Sequence, residues 1–184
     1  MITRPGSVIT DVPRLKSMAA LNVSLSSAMR TGLLGPFAVG TSRHVIGRTL
    51  GNVNKATLVD RKNASCIWVF GTTEFHFAND ILTLIHCDSD DLFDGGPSMK
   101  IDPWKLRLHM PLAELKSILN GNDIGYNGCD DPHVVDCTVR LSSGFTLGFV
   151  LDDSAGLGPT GLRSWSIQSC GEQSDARERR SHGL

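Results

Sequence analysis

Long hydrophobic runs and a strong net charge are both missing from this sequence of 184 residues. The apolar stretches are only a few residues long, whereas a membrane-spanning helix needs about 20, so we expect no membrane span and no membrane partner. Eighteen Lys and Arg residues stand against 19 Asp and Glu residues, which gives a formal net charge of −1. That balance argues against nucleic acid as a partner, because general nucleic-acid binders carry a basic excess.

A secretion signal and a regular cysteine pattern are missing as well. Polar residues interrupt the apolar stretch near the N-terminus, and no convincing cleavage site follows it. The cysteines are odd in number and irregularly spaced, in a chain long enough to build a core without cross-links. They are Cys66, Cys87, Cys129, Cys137 and Cys170. We therefore expect reduced thiols and a cytoplasmic location.

The first half of the sequence carries a pattern of one helix followed by a meander. Apolar residues recur at helical spacing over 43–50, Thr41 or Ser42 can cap the N-terminus, and Gly51 can end the helix. Three strands are predicted next, at 66–70, 74–77 and 81–86. In the second strand Phe75 and Phe77 alternate with polar residues, so both rings should face the core.

The pattern recurs at a shift of 69 positions. A second helix is predicted around 110–119, and further strands at 134–141, 145–150 and 162–167. The predicted fold class is α+β, with two tandem helix-plus-antiparallel-meander repeats that share one core. The predicted segments are an N-terminal arm or helix (1–30), a first repeat (31–88), an acidic connector (89–103), a second repeat (104–170) and a disordered tail (171–184).

Residues 68–77 form the motif Trp-x-Phe-Gly-x-x-Glu-Phe-x-Phe. It resembles the motif Trp-x-Tyr/Phe-Gly-x-x-Glu-Phe-x-Phe of an uncharacterised group of small bacterial proteins, over about residues 33–88. More distantly, the short helix ending in Leu50-Gly51 before a Trp-bearing meander is similar to the module of small outer-membrane-assembly lipoproteins. Its tandem duplication resembles the β-lactamase-inhibitor proteins, and some toxin-immunity proteins are built in this way. No lipoprotein cysteine lies near the N-terminus. The resemblance implies a scaffold that grips another protein, and it supplies no catalytic residues.

Two acidic concentrations are candidates for partner binding. The first places Asp88, Asp90, Asp91 and Asp94 around Phe93, directly after a predicted strand. Complementary charge would speed the encounter with a basic protein surface, and the ring would supply affinity. The second includes Asp130 and Asp131, in a stretch free of Lys and Arg. The plainer interpretation of either concentration is a solvated surface connector.

These observations predict a stoichiometric protein-binding inhibitor and not an enzyme. We expect an immunity protein that neutralises a bacterial toxin with a basic surface, and no cofactor. The alternative is a small metal-dependent enzyme or regulator that uses histidine and cysteine side chains. Cys129, His133 and Cys137, together with His86 and Cys87, could supply ligands that zinc accepts, although their spacing is not that of a zinc knuckle. We interpret the neighbouring Glu74 and His76 as a surface pair, because no nucleophile motif accompanies them.

Overall fold

The computed structural model describes residues 19–51, 55–60, 65–128, 136–151 and 159–168. In chain order, its elements are β1 (Leu21–Ser24), α1 (Leu25–Thr31), α2 (Arg43–Leu50), β2 (Lys55–Asp60), β3 (Ser65–Phe70), β4 (Thr73–Ala78), β5 (Ile81–Cys87), β6 (Asp94–Gly95), a 3-10 turn (Gly96–Ser98), β7 (Met99–Asp102), α3 (Leu112–Asn120), β8 (Tyr126–Asn127), β9 (Asp136–Leu141), β10 (Phe145–Leu151) and β11 (Pro159–Gln168).

Within these ranges, eight strands form one large sheet in the order β2-β3-β4-β5-β11-β10-β9-β8. Every neighbouring pair in it is antiparallel. The last strands of the two meanders meet at the centre, where β5 pairs with β11 and Cys87 lies opposite Trp165. A small mixed sheet has the order β1-β7-β6, with β1 parallel to β7. The predicted α+β class with an antiparallel sheet is confirmed.

Each meander is preceded by a helix, since α2 comes before β2–β5 and α3 comes before β8–β11. The sequence predicted three strands per unit, and the structure has four. No strand was predicted over the residues of β2, and β8 is only two residues long. Both strands are held by ladder hydrogen bonds with a neighbour, β3 for β2 and β9 for β8, and not by a periodic pattern of their own.

The predicted helix at 43–50 is confirmed as α2. Its first turn is capped by Ser42, whose side chain accepts a hydrogen bond from the Val45 backbone N–H. Ile46 and Leu50 are buried one helical turn apart, which fastens the helix to the sheet. The helix ends at Gly51, whose φ of 71° is a conformation that glycine adopts without strain.

All three helices of the described residues contribute to the same hydrophobic core as the sheet. Phe75 and Phe77 are 0% and 2% exposed, so the prediction that both rings face inward is confirmed. Ile46 of α2 and Leu115 of α3 pack into this cluster with them. Because these residues alternate with half-exposed ones along the strands, the core lies against one face of the large sheet.

The N-terminal segment, for which the sequence predicted an arm or a helix, is described from residue 19 onward. Over residues 21–31 it forms β1 and α1, and Leu25 and Met29 are buried in the core. The hydroxyl of Ser143 donates a hydrogen bond of 2.7 Å to the Met29 carbonyl. This segment contacts β7 and the turn before β10, which are more than 70 positions away in the sequence. No local pattern indicates such contacts.

Two further expectations concern cysteines and membranes. Cys137 is disulfide-bonded, so the prediction of reduced thiols is wrong for this residue, whereas Cys66 and Cys87 are free and buried. Among the helices of the described ranges, none has the length and apolar character needed to cross a membrane. The predicted tail at 171–184 lies outside the described residues.

We expect the whole chain to unfold in one cooperative transition. The two meanders share the β5–β11 pairing and one core, so neither can open without exposing apolar residues of the other. Thermal unfolding followed by circular dichroism and by tryptophan fluorescence should give coincident curves. Two separate transitions, one for each meander, would contradict a shared core.

Candidate protein-binding surface

The face of the large sheet that points away from the core is formed by the alternate, mostly half-exposed residues of its strands. We call it the open face. Its described residues include Ile67, Val69, Glu74, His76, Leu84, His86, Thr138, Arg140, Thr146, Gly148, Val150, Ser164, Ser166 and Gln168. The helices of the described residues bury their apolar side chains on the opposite side, so none of these helices covers the open face.

Strand pairing brings four titratable side chains together near the middle of the open face. His76 Nε2 lies 2.8 Å from Glu74 Oε2, and His86 Nε2 lies 3.4 Å from Asp88 Oδ2. The two imidazole rings are 6.5 Å apart between centroids and nearly perpendicular. Glu74 is also the cross-strand partner of His86. We call Glu74, His76, His86 and Asp88 the histidine–carboxylate cluster.

The apolar part of the open face adjoins this cluster. Val69 lies directly opposite Glu74 in the β3–β4 pair, and Leu84 lies opposite His76 in the β4–β5 pair. Both apolar side chains are half-buried. Beyond His86 the cross-strand row continues through Ser166 and Thr146. A surface that mixes apolar and hydrogen-bonding groups in this way has the composition of a non-obligate protein interface.

The acidic loop, residues 88–94, begins where β5 ends and is firmly held by the fold. Three of its backbone carbonyls accept hydrogen bonds from side chains elsewhere in the chain. The Trp165 indole donates to the Leu92 carbonyl at 2.7 Å, Thr73 donates to the Asp94 carbonyl at 3.1 Å, and Thr72 donates to that of Asp91. Trp165 is itself buried. The loop is therefore a preformed feature of the surface.

The predicted binding residues of this loop divide into two groups. Asp88, Asp90 and Asp91 are exposed, and Asp90 makes a 3.1 Å ion pair with Arg163. In contrast, the Asp94 carboxylate accepts a 2.7 Å hydrogen bond from the Gly96 backbone N–H. Phe93 is half-buried against the core. The exposed carboxylates are thus accessible to a partner, whereas Asp94 and Phe93 also hold the loop in place.

The structure joins the acidic loop to the open face through the contact between Asp88 and His86. Asp130 and Asp131, the predicted second concentration, lie outside the described residues. The sequence had indicated Glu74 and His76 as a surface pair, and the structure confirms their contact. Sequence reasoning missed His86 as a neighbour of this pair, because the proximity arises from the register between β4 and β5.

The residues of the predicted metal alternative are not assembled in the part of the chain that the structure describes. There, no group of three or more His, Cys, Asp or Glu side chains is arranged to hold a metal ion. Cys137 is committed to a disulfide. Burial raises the pKa of the Cys87 thiol, which keeps it protonated and a weak ligand and nucleophile. Cys129 and His133 lie outside the described residues.

A shallow cleft of about 510 Å³ lies at the start of α2, lined by Ser42, Arg43, His44, Trp68 and Asp80. The Arg43 guanidinium is already engaged, because it pairs with Asp80 at 2.6 Å and lies 5.7 Å from the Trp68 ring centroid. It also donates to the Cys66 sulfur at 3.2 Å. These contacts tie α2 to β3 and to the β4–β5 turn, so we assign this arginine a structural role.

Comparison of the chain with protein-family models, with curated proteins and with solved structures found no match.

Proposed function

We propose that this protein is a stoichiometric protein-binding inhibitor of the immunity type, which neutralises a bacterial toxin by covering its surface. The observation that carries the proposal is the open face of the sheet, which the described helices leave uncovered while they build the core on the other side. An antiparallel sheet that faces water on one side can serve as a rigid, preformed platform.

The proposed partner has a basic surface. Asp88, Asp90 and Asp91 are exposed in a loop that the fold holds in one position at the edge of the platform. Glu74 adds a carboxylate within the open face, 2.8 Å from His76. Complementary charge raises the rate of encounter, and the apolar residues around Val69 and Leu84 would supply the contacts that slow dissociation.

We further propose that the two helix-plus-meander units are tandem repeats, as in the β-lactamase-inhibitor proteins that the sequence resembles. The order helix then meander occurs twice, and the units join through their last strands. That arrangement supports an internal duplication. A cytoplasmic location is part of the same proposal.

The direct test uses the protein encoded by the reading frame adjacent to this one in the source genome. The purified pair should form a complex of one to one stoichiometry by calorimetry, and the complex should lack the toxicity of the free partner. A double change at the open face, Val69→Lys with Leu84→Lys, should weaken binding about 30-fold or more, because it places two charges in the apolar part of the interface.

The matched control for this variant is Val45→Lys, an apolar-to-lysine change at a residue of α2 that is 49% exposed on the other side of the sheet. It should bind like the wild type. All variants must keep the wild-type melting temperature for the comparison to count. Wild-type affinity of the Val69→Lys, Leu84→Lys protein would remove the open face from the interface.

The acidic loop is tested separately with Asp90→Lys, Asp91→Lys. This change should slow association and weaken its dependence on salt, with little effect on stability, since both carboxylates are exposed. Glu114→Lys is the matched control. Like Asp90, Glu114 forms an ion pair with an arginine, Arg107, but it belongs to α3 and not to the acidic loop. If both association and dissociation rates of the loop variant equal those of the wild type, the loop is only a solvated connector.

A further inference from the structure

The two histidines of the open face lie side by side, and each is next to a carboxylate. His76 and His86 lie on adjacent strands with ring centroids 6.5 Å apart, and each has a carboxylate within 3.4 Å. Their side chains are 28% and 27% exposed, so both are accessible to protons while shielded by neighbouring residues. Histidine is the side chain whose charge changes between about pH 5 and pH 8.

The groups that face these histidines are few. On β3, Ile67 lies opposite His76, and Leu84 lies opposite it on β5. His86 has Glu74 on one side and Ser166 of β11 on the other. The nearest charged groups on the described part of the face are therefore the carboxylates of the cluster itself. Arg140 belongs to β9, which is separated from β5 by β11 and β10.

The formal charge of the histidine–carboxylate cluster depends on how many of its two histidines carry a proton. Glu74 and Asp88 contribute a charge of −2 when both histidines are neutral, and protonation of both histidines adds +2, which brings the sum to 0. The centre of the open face thus has a negative formal charge with neutral histidines and no net formal charge with two protonated ones.

We propose that the open face binds its basic partner in a proton-linked manner, so that protonation of His76 and His86 weakens the complex. The inference rests on the proposed function and adds its regulation. A cationic partner favours the neutral form of both histidines, so binding releases protons. By linkage, the affinity must then rise with pH across the range in which histidine titrates.

The test uses the full chain and a fluorescent decalysine peptide as a probe whose own charge is constant across the range. Fluorescence anisotropy at low ionic strength should show about tenfold weaker binding at about pH 5.5 than at about pH 7.5. In the His76→Gln, His86→Gln variant, neutral side chains replace both histidines, and the affinity should be nearly independent of pH. His44→Gln, at an exposed histidine of α2, is the control and should retain the wild-type pH dependence.

Each other outcome overturns the proposal. Equal wild-type affinity at both pH values, or no binding of decalysine at either, would show that the histidine charge does not govern the face. A pH dependence that survives in the His76→Gln, His86→Gln variant would assign it to other groups. These results are independent of the adjacent gene product. Failure of that product to bind would count against the toxin partner, while the decalysine result would still decide the proton linkage.

Discussion

Replacement of Phe75 by alanine should lower the free energy of unfolding by about 3 to 5 kcal/mol, which is the usual range for a large-to-small change in a core. The Phe75 side chain is 0% exposed. Its ring meets Phe37 at 5.9 Å and Phe70 at 5.4 Å between centroids, both edge-to-face. The substitution removes contacts to two other segments at once, so the surroundings cannot easily collapse into the cavity.

Denaturation with urea, followed by circular dichroism, measures this loss. Ile81→Ala is a suitable control, because Ile81 belongs to the adjacent strand β5 but is 41% exposed. Its substitution should cost less than about 1 kcal/mol. A loss of less than about 1 kcal/mol for Phe75→Ala would show that the Phe75 ring does not lie in the core.

The second large effect is expected for Gly71→Ala, at the turn between β3 and β4. Gly71 has a φ of 61°, and an added Cβ would lie 2.4 Å from the Gly96 backbone nitrogen and 2.6 Å from the Asp94 carboxyl carbon. The left-handed conformation costs roughly 1 to 2 kcal/mol for a residue with a Cβ, and overpacking adds about 1 to 3 kcal/mol. We therefore expect a total loss of about 2 to 5 kcal/mol.

Gly40→Ala separates the two contributions. Gly40 also has a positive φ, 95°, but no atom lies within 4 Å of the added Cβ. Its substitution should therefore show the backbone cost without the clash. Unfolding free energies of the two variants should differ by about 1 to 3 kcal/mol. Equal losses would mean that the acidic loop moves aside without cost, contrary to its anchoring by Thr73 and Trp165.

Local sequence patterns were sufficient to predict helix α2 and strand β4. The cap at Ser42, the apolar spacing of Ile46 and Leu50, and the stop at Gly51 lie within ten residues of one another, and α2 formed as predicted. The alternation of β4 is equally local, and it placed Phe75 and Phe77 on the core side. These patterns depend on neighbouring backbone groups and on one buried face, so they can be recognised in the sequence without knowledge of the partner strand.

Features that are stabilised by distant residues were not predicted, because no pattern within their own segment indicates those contacts. β1 forms because it pairs with β7, and Leu21 and Met99 are 78 positions apart. The sequence left the acidic loop as either a binding candidate or a solvated connector, and neither interpretation indicates that its Leu92 carbonyl accepts a hydrogen bond from the indole of Trp165, 73 positions away. No composition or period within either segment encodes such a contact.

In the proposed binding surface, some positions follow from the sequence pattern and others depend on the tertiary structure. The polar positions of β4 follow from the alternation alone, because successive side chains of a strand point to opposite faces. The position of His86 beside His76, and the continuation of the open face from β5 onto β11, depend on strand register and on which strands become neighbours. Register is set by the total burial of both meanders in one core, which is a property of the folded chain and of no single segment.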